Sequence, residues 1–429
     1  MRIKSVAVLI IKDSRGEATI EVALASEKTR VKASVPSGKS KGKFEAVSHP
    51  AEKAVAVVKK ISPELLIEDF KDIVSFDRAL LDADGTENKA NIGANTSLAL
   101  SIAFSRLLSK EKNIPLYQLI AETAGNKKLV FPRLFVNLIN AGRHAPAELK
   151  PLAFQEYLAI PEENSPRLAL KQIFSLIESL KGAVLASPAC PERSRRACPE
   201  RSRRACPERS RGELVEGACP ELVEGDEGGF VLSGDEPEAG LRILREAAAM
   251  SPSGNRFQFG LDAAASSLFK DGHYKWRDKT WTSAELVEEY EKLIRSYDLL
   301  SIEDPFDEEA PNEWKIFTEA NKDKIWIVAD DLTVTNPARI ESAGRDGEAN
   351  AIIIKPNQIG TVSEAIKAAE TARSFGWKII VSHRSGETMD DFIADFSYGI
   401  SADGLKAGSP IQPERLAKYQ RLIEIEESR

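Results

Sequence analysis

"AIIIKPNQIGTVSEAIKAAETARSFGWKIIVSHRSGE" (351–387) holds the unit on which the fold turns. An apolar run ends on Lys355, a segment with helical spacing follows, and a second apolar run ends on His383 and Arg384. Short runs of branched apolar residues read as buried strands, and their alternation with helical segments implies parallel strands joined by helical crossovers. Thr361, followed three residues later by Glu364, marks the start of the intervening helix as a capping box.

The same unit recurs upstream. FQFGLD (257–262), LLSIED (299–304) and IWIVADD (325–331) each end on carboxylates, and TSAELVEEYEKLIRSY (282–297) carries a second capping box at Thr282 and Glu285. Asp262, Glu303, Asp330, Lys355 and His383 therefore stand at successive strand ends, at intervals of 41, 27, 25 and 28 residues, each close to one strand-helix unit. This many units favour a closed α/β barrel, in which strand ends converge on one face. Chemistry in such barrels sits on that face, because the strand ends are rigid and the loops above them can vary.

Residues 2–35 read differently. IKSVAVLII, ATIEVALAS and RVKASV alternate apolar and polar positions and are separated by DSRGE and EKT, the pattern of a three-strand antiparallel meander. Helical spacing dominates from about 50 to 124. The expected division is an N-terminal α+β domain over 1–125, capping a (β/α)8-like barrel over 126–429.

One segment belongs to neither pattern. ACPERSRRACPERSRRACPERSRGELVEGACPELVEGDEGG (189–229) is a near-perfect eight-residue repeat that holds all four cysteines, Cys190, Cys198, Cys206 and Cys219. Their spacing offers no paired CxxC and no histidine, so zinc binding is not expected. From 189 to 211 there are 8 Arg and 3 Glu, and almost nothing apolar that a core would bury, so the expectation is a solvated low-complexity insert over about 187–224.

Of the 429 residues, 42% are hydrophobic and 29% charged, enough for a sizeable core. The formal charge of −7, with both signs interspersed, argues against a nucleic-acid or anionic-membrane surface. The opening RIKSVAVLIIKDSRGE reads as a strand rather than a signal peptide, and no stretch nears the roughly 18 apolar residues of a membrane span. A cytoplasmic protein acting on small molecules is the expectation.

Three carboxylates converging from separate strands repel one another unless a cation lies between them. An all-oxygen set of few ligands suits Mg²⁺, while salt-bridged structural carboxylates are the plainer alternative. Lys355 and Lys406 beside such a cation would release a proton more readily, although a lone lysine is more often a surface charge. His383, Arg384 and Ser385 suit a phosphate or carboxylate, and GDEGG (225–229) sets Glu227 in a glycine-flanked turn.

Read in order, DSRGEATIEV, SVPSGKSKG, DGTENKANIGANTSLALS, IPLYQLIAETAG, FVNLINAGRHA, FQEYLAIP, GDEGGF, GLDAAASSLFKDG, SIEDPF, ADDLTVTNP, IIIKPNQIGT, VSHRSGET and LKAGSP make the sequence similar to the enolase family over nearly the whole chain except the repeat. The resemblance implies Mg²⁺-dependent dehydration of 2-phosphoglycerate to phosphoenolpyruvate. It implies Lys355 as the base and Glu227 as support for the proton delivered to the departing hydroxide. Asp262, Glu303 and Asp330 would hold one Mg²⁺; Ser40 would help bring in a second with the substrate. His144, Glu156, Glu303, Asp330, His383, Arg384, Ser385 and Lys406 match substrate-contacting positions, and a homodimer or higher assembly of dimers is implied.

The chain departs from the family pattern in places. Lys39 and Lys41 add two cations to the loop around Ser40, Ala141-Gly142 stands for a double glycine, and about three extra residues separate His144 from Glu156. Two other readings remain: a superfamily racemase or cycloisomerase, which would carry a K-x-K pair not found here, and a non-catalytic binding protein descended from the enzyme.

Overall fold

The structure is a computed structural model and describes residues 1–39, 42–146, 149, 151–186, 222–234, 236–254 and 256–429. Ser40 and most of the repeat segment lie outside the described residues.

The first three strands are β1 (Ser5–Lys12), β2 (Ala18–Ala25) and β3 (Arg30–Ser34), paired antiparallel in that order. Alternation gives β2 one face that is buried through Ile20, Val22 and Leu24. That face packs on α3 (Ala94–Glu111), which follows α1 (Ala51–Ile67) and α2 (Ile73–Asp84) and precedes α4 (Leu116–Thr123). Phe70, Phe76 and Phe104 lock these helices together, Phe76 and Phe104 stacking with centroids 4.1 Å apart.

The barrel opens with β4 (Arg133–Asn140), β5 (Glu156–Pro161), α5 (Pro166–Ala186), β6 (Phe230–Val231), α6 (Ala239–Met250) and β7 (Phe257–Asp262). After a ribbon of β8 (Phe269–Lys270), β9 (His273–Trp276) and β10 (Lys279–Trp281) come α7 (Ser283–Ser296), β11 (Leu299–Glu303), α8 (Pro311–Asn321) and β12 (Trp326–Ala329). The chain ends with α9 (Pro337–Asp346), β13 (Ala351–Ile354), α10 (Pro356–Ile359), α11 (Val362–Ser374), β14 (Lys378–Ser382), α12 (Phe392–Gly399), β15 (Gly404–Lys406) and α13 (Pro413–Glu427). Pairing of β15 with β4 closes eight strands into a ring, in the order β4, β5, β7, β11, β12, β13, β14, β15. Short β6 takes over the edge of β4 beyond the reach of β15.

The ring is not wholly parallel. β5 pairs antiparallel with both β4 and β7, so its first residue, Glu156, lies at the end where the other strands finish. Both capping-box expectations meet the structure, with one difference. Thr282 and Glu285 form the full reciprocal box, whereas at Thr361 the Glu364 carboxylate accepts from the Thr361 hydroxyl at 2.7 Å rather than from its backbone N–H, and its other oxygen meets the buried Lys89 ammonium at 2.8 Å.

Side chains on each strand alternate between the interior of the ring and the surrounding helices. Phe135, Leu158, Ile160, Val328, Ala351, Ile353 and Ile380 plug the interior. Following this inward parity upward leads to charge: Ile160 and Leu158 to Glu156, Trp326 and Val328 to Asp330, Ala351 and Ile353 to Lys355. The apolar plug thus forms the floor of the polar site.

Candidate active site

Register sets the centre of the site. Glu156 pairs with Asp262 across β5 and β7, and Asp262 with Glu303 across β7 and β11, so three buried carboxylates stand on adjacent strands about 5 Å apart. Lys406, at the end of β15, reaches across to all three: its ammonium lies 2.7 Å from Glu303, 3.0 Å from Glu156 and 3.2 Å from Asp262. Asp330, two residues beyond the last β12 pair with β11, is ion-paired with Lys355 and accepts from the Gln358 amide at 3.1 Å.

These pairings set the charges. Burial and the neighbouring Asp262 push the Glu303 carboxyl well above its usual range, and Lys406 only partly offsets them. Glu156 rises to about 8, from burial and then from Glu227. Lys355 would be lowered by burial, yet Asp330 lifts it above its ordinary value, and Lys406 is likewise raised by Glu156 and Glu303. The carboxylates facing both ammonium groups raise them, whereas the sequence expectation of proton-releasing lysines applies beside a divalent cation.

Glu227 lines the same cavity of about 300 Å³ as Lys355 and Lys406, and lies close to Glu156. Its carboxylate accepts from the Asn137 amide at 3.0 Å, with His144 Nδ1 at 3.3 Å and His383 Nε2 at 3.4 Å. Burial would raise this group, but the two histidines hold it well below the ordinary carboxylate range. The turn that carries it is tied internally: Gly225 N–H donates to the Gly229 carbonyl and Val231 N–H to the Val223 carbonyl. Gly225 and Gly229 press on Asn140 so closely that a Cβ on either would come within 2.6 Å of it, which explains the glycine spacing. Glu224 already belongs to this turn, bridged to Phe230, although the sequence reading set it within the insert.

His144 ends a short helical turn, Gly142–His144, in the β4–β5 connection, and its Nδ1 lies 3.7 Å from Glu156. His383, Arg384 and Ser385 follow β14 and are all buried. Arg384 grips Glu45 with two hydrogen bonds of 3.1 Å, and the Ser385 hydroxyl accepts from Lys39 N–H at 2.8 Å and from Arg15 at 3.3 Å. The segment around residue 39 is therefore docked on the site, with the Lys39 ammonium 2.7 Å from Asp226.

Sequence reasoning missed Asp304, Asp331, Glu45 and Arg415. Asp304 holds the turn after β12 by accepting from the Asp330 and Asp331 backbone N–H groups, at 2.9 and 3.1 Å. The doubled acids of SIED and ADD were the available signal. Among the described residues, two groups bring candidate ligand atoms within 4.8 Å of one another: His144 with Glu156 and Glu227, and Asp304 with Asp330 and Asp331. Asp262, Glu303 and Asp330 converge but do not form so tight a set, since Lys406 and Lys355 lie against them.

The donor chemistry fits a divalent cation. Five buried carboxylates, Glu156, Glu227, Asp262, Glu303 and Asp330, face two lysines, and all-oxygen donors suit Mg²⁺. Among the described residues, no helix is long and apolar enough to cross a membrane. Residues 3–120 match the family model of the enolase N-terminal domain, and residues 217–429 match that of the enolase C-terminal TIM barrel domain. The chain belongs to the enolase family.

Proposed function

We propose that the protein dehydrates 2-phospho-D-glycerate to phosphoenolpyruvate, as a hydro-lyase working reversibly in glycolysis. One observation carries the reading: Lys355 and Glu227 line the same cavity from different elements, Lys355 directly after β13 and Glu227 in the turn before β6, the short strand beside β4. An elimination needs one group to take a proton and another, elsewhere around the substrate, to serve the leaving hydroxide.

In this scheme Lys355 removes the α-proton once Asp330 no longer engages it, and the Glu227 cluster with His144 and His383 manages the proton that leaves with hydroxide. Arg384 and Ser385 receive the phosphate, and Lys406 the carboxylate region, with Glu156 and His144 beside it. Asp262, Glu303 and Asp330 would hold one Mg²⁺, and Ser40 would join a second that arrives with the substrate. Mg²⁺ when bound supplies the positive charge that an enolate dianion requires. The residues do the rest: they orient the substrate and, on an apolar floor, keep bulk water away.

On this reading the ligand is a small phosphorylated carboxylate, and the assembly is a homodimer or higher assembly of dimers in the cytoplasm. Residues 1–125 cap the barrel of 126–429, and the repeat that precedes Leu222 is a passive insert. The test is dehydration of 2-phosphoglycerate, followed by the ultraviolet absorbance of phosphoenolpyruvate with and without Mg²⁺. Mg²⁺-dependent turnover supports the reading, and its absence at every Mg²⁺ concentration refutes it.

A further inference from the structure

Arg415, on the first turn of α13, is fully buried, and no carboxylate among the described residues forms an ion pair with it. Burying a guanidinium without an acid is costly unless its hydrogen bonds are met. All five of its N–H donors are directed at acceptors. Nη1 reaches His383 Nδ1 at 2.7 Å and the Arg384 carbonyl at 2.6 Å; Nη2 reaches the Ser385 carbonyl at 2.8 Å and the Asp226 carbonyl at 3.2 Å; Nε reaches Gln412 at 3.3 Å.

Apart from Gln412, which caps α13 itself, these acceptors belong to two loops far apart in sequence, the Glu227 turn and the segment after β14. A third segment packs with them: Ser409 N–H donates to the Glu227 carbonyl at 2.9 Å, and a Cβ on Gly408 would meet both His383 and Arg415 within 3.0 Å. Gly408 also has φ +81°, where a side chain is strained.

A guanidinium does not lose its proton in proteins, so it can only donate. His383 Nδ1 must then accept, which leaves the ring proton on Nε2, the nitrogen 3.4 Å from Glu227. We propose that Arg415 is a positioning residue that fixes His383 as the neutral Nε2–H tautomer, aims that N–H at Glu227, and clamps the Glu227 turn to the His383–Ser385 loop. Its importance for turnover rests on the function proposed above, but the tautomer and the clamp can be read without any substrate.

The chain has four histidines, His49, His144, His273 and His383, so nitrogen-15 histidine labelling of the full chain gives four imidazole systems. The His383 system is the one that disappears in His383→Gln. The expected result for the unaltered protein is a bare Nδ1 and a protonated Nε2 at His383. A protonated Nδ1 there overturns the proposal without any Arg415 variant. In Arg415→Gln, or in Arg415→Lys if the first does not fold, His383 should become a mixture of tautomers or take up a proton, and kcat should fall roughly a hundredfold. An unchanged His383 in a folded variant refutes the positioning role, even where kcat falls. Absence of turnover in the unaltered chain with the expected tautomer present would remove the proposed function alone.

Discussion

The Lys406 ammonium lies 2.7 Å from the Glu303 carboxylate, inside a row of acids that would otherwise repel one another. A divalent cation at these acids competes with this lysine. Mg²⁺ should therefore raise Tm, with about 2.7 kcal/mol of stabilisation at a hundredfold excess over Kd. Glu303→Gln should lose most of that increment. Differential scanning calorimetry with and without Mg²⁺ measures both, and an undiminished shift in the variant would place the ion elsewhere.

If Lys355 takes the α-proton and Glu227 acts afterwards, the two steps separate. Glu227→Gln should still exchange the α-proton of 2-phosphoglycerate with deuterated water while losing dehydration by a factor of roughly 10² to 10⁴. Lys355→Ala should lose both. Proton NMR of the substrate in D₂O reads the exchange, and exchange surviving in Lys355→Ala would assign the base to another group.

Asp77, in α2, is buried and accepts from Ser363 N–H at 2.8 Å, and burial pushes its carboxyl up to about 6. Its folded pKa thus exceeds its unfolded value near 4, so the group favours the folded state at low pH and loses that contribution as pH rises through about 4 to 6. The loss amounts to roughly 3 kcal/mol. Asp77→Asn should flatten the stability curve over this window, as read by urea midpoints at pH 4.5 and 7.

Arg106 joins α3 to the segment before α12, donating to the nearly buried Asp390 at 2.6 and 2.9 Å and to Asp391 at 2.7 Å. Arg106→Ala would strand Asp390 and should cost about 2–4 kcal/mol, less than the fully buried case because the arginine is 17% exposed. Arg106→Lys should recover part of the loss. Equilibrium unfolding of the two variants supplies the comparison, and equal stability would mean the pair contributes nothing.

The turn that carries Glu227 is closed by its own hydrogen bonds, Gly225 to Gly229 and Val231 to Val223, and by Arg415. A chain lacking 187–220 should therefore keep kcat within about threefold, since a displacement of even 1 Å would cost nearer a hundredfold. A larger change in steady-state kcat would show that the segment bears on the site.

The barrel was legible because one local rule, an apolar run ending on a charged residue, repeats along the chain; Asp262, Glu303, Asp330, Lys355 and His383 all follow it. The direction of β5 was not, since FQEYLAIP alternates in the same way whichever way the strand points. Nor were the contacts that set charge. Glu45 meets Arg384 across 339 residues and Lys406 meets Glu156 from a strand two places away, and local spacing carries no information about such pairs. The pairing of Lys355 with Asp330 was hidden for the same reason, because Asp330 is contributed by another strand.

The reversal of β5 has a consequence for where this fold accepts new sequence. The strand runs away from the site, so α5, 21 residues or about 30 Å long, must carry the chain back up to it. The connection from α5 to the Glu227 turn consequently begins and ends at the face that carries the site residues. Added chain at this crossover therefore runs straight into the Glu227 turn, whose shape is held by its own hydrogen bonds, Gly225 to Gly229 and Val231 to Val223.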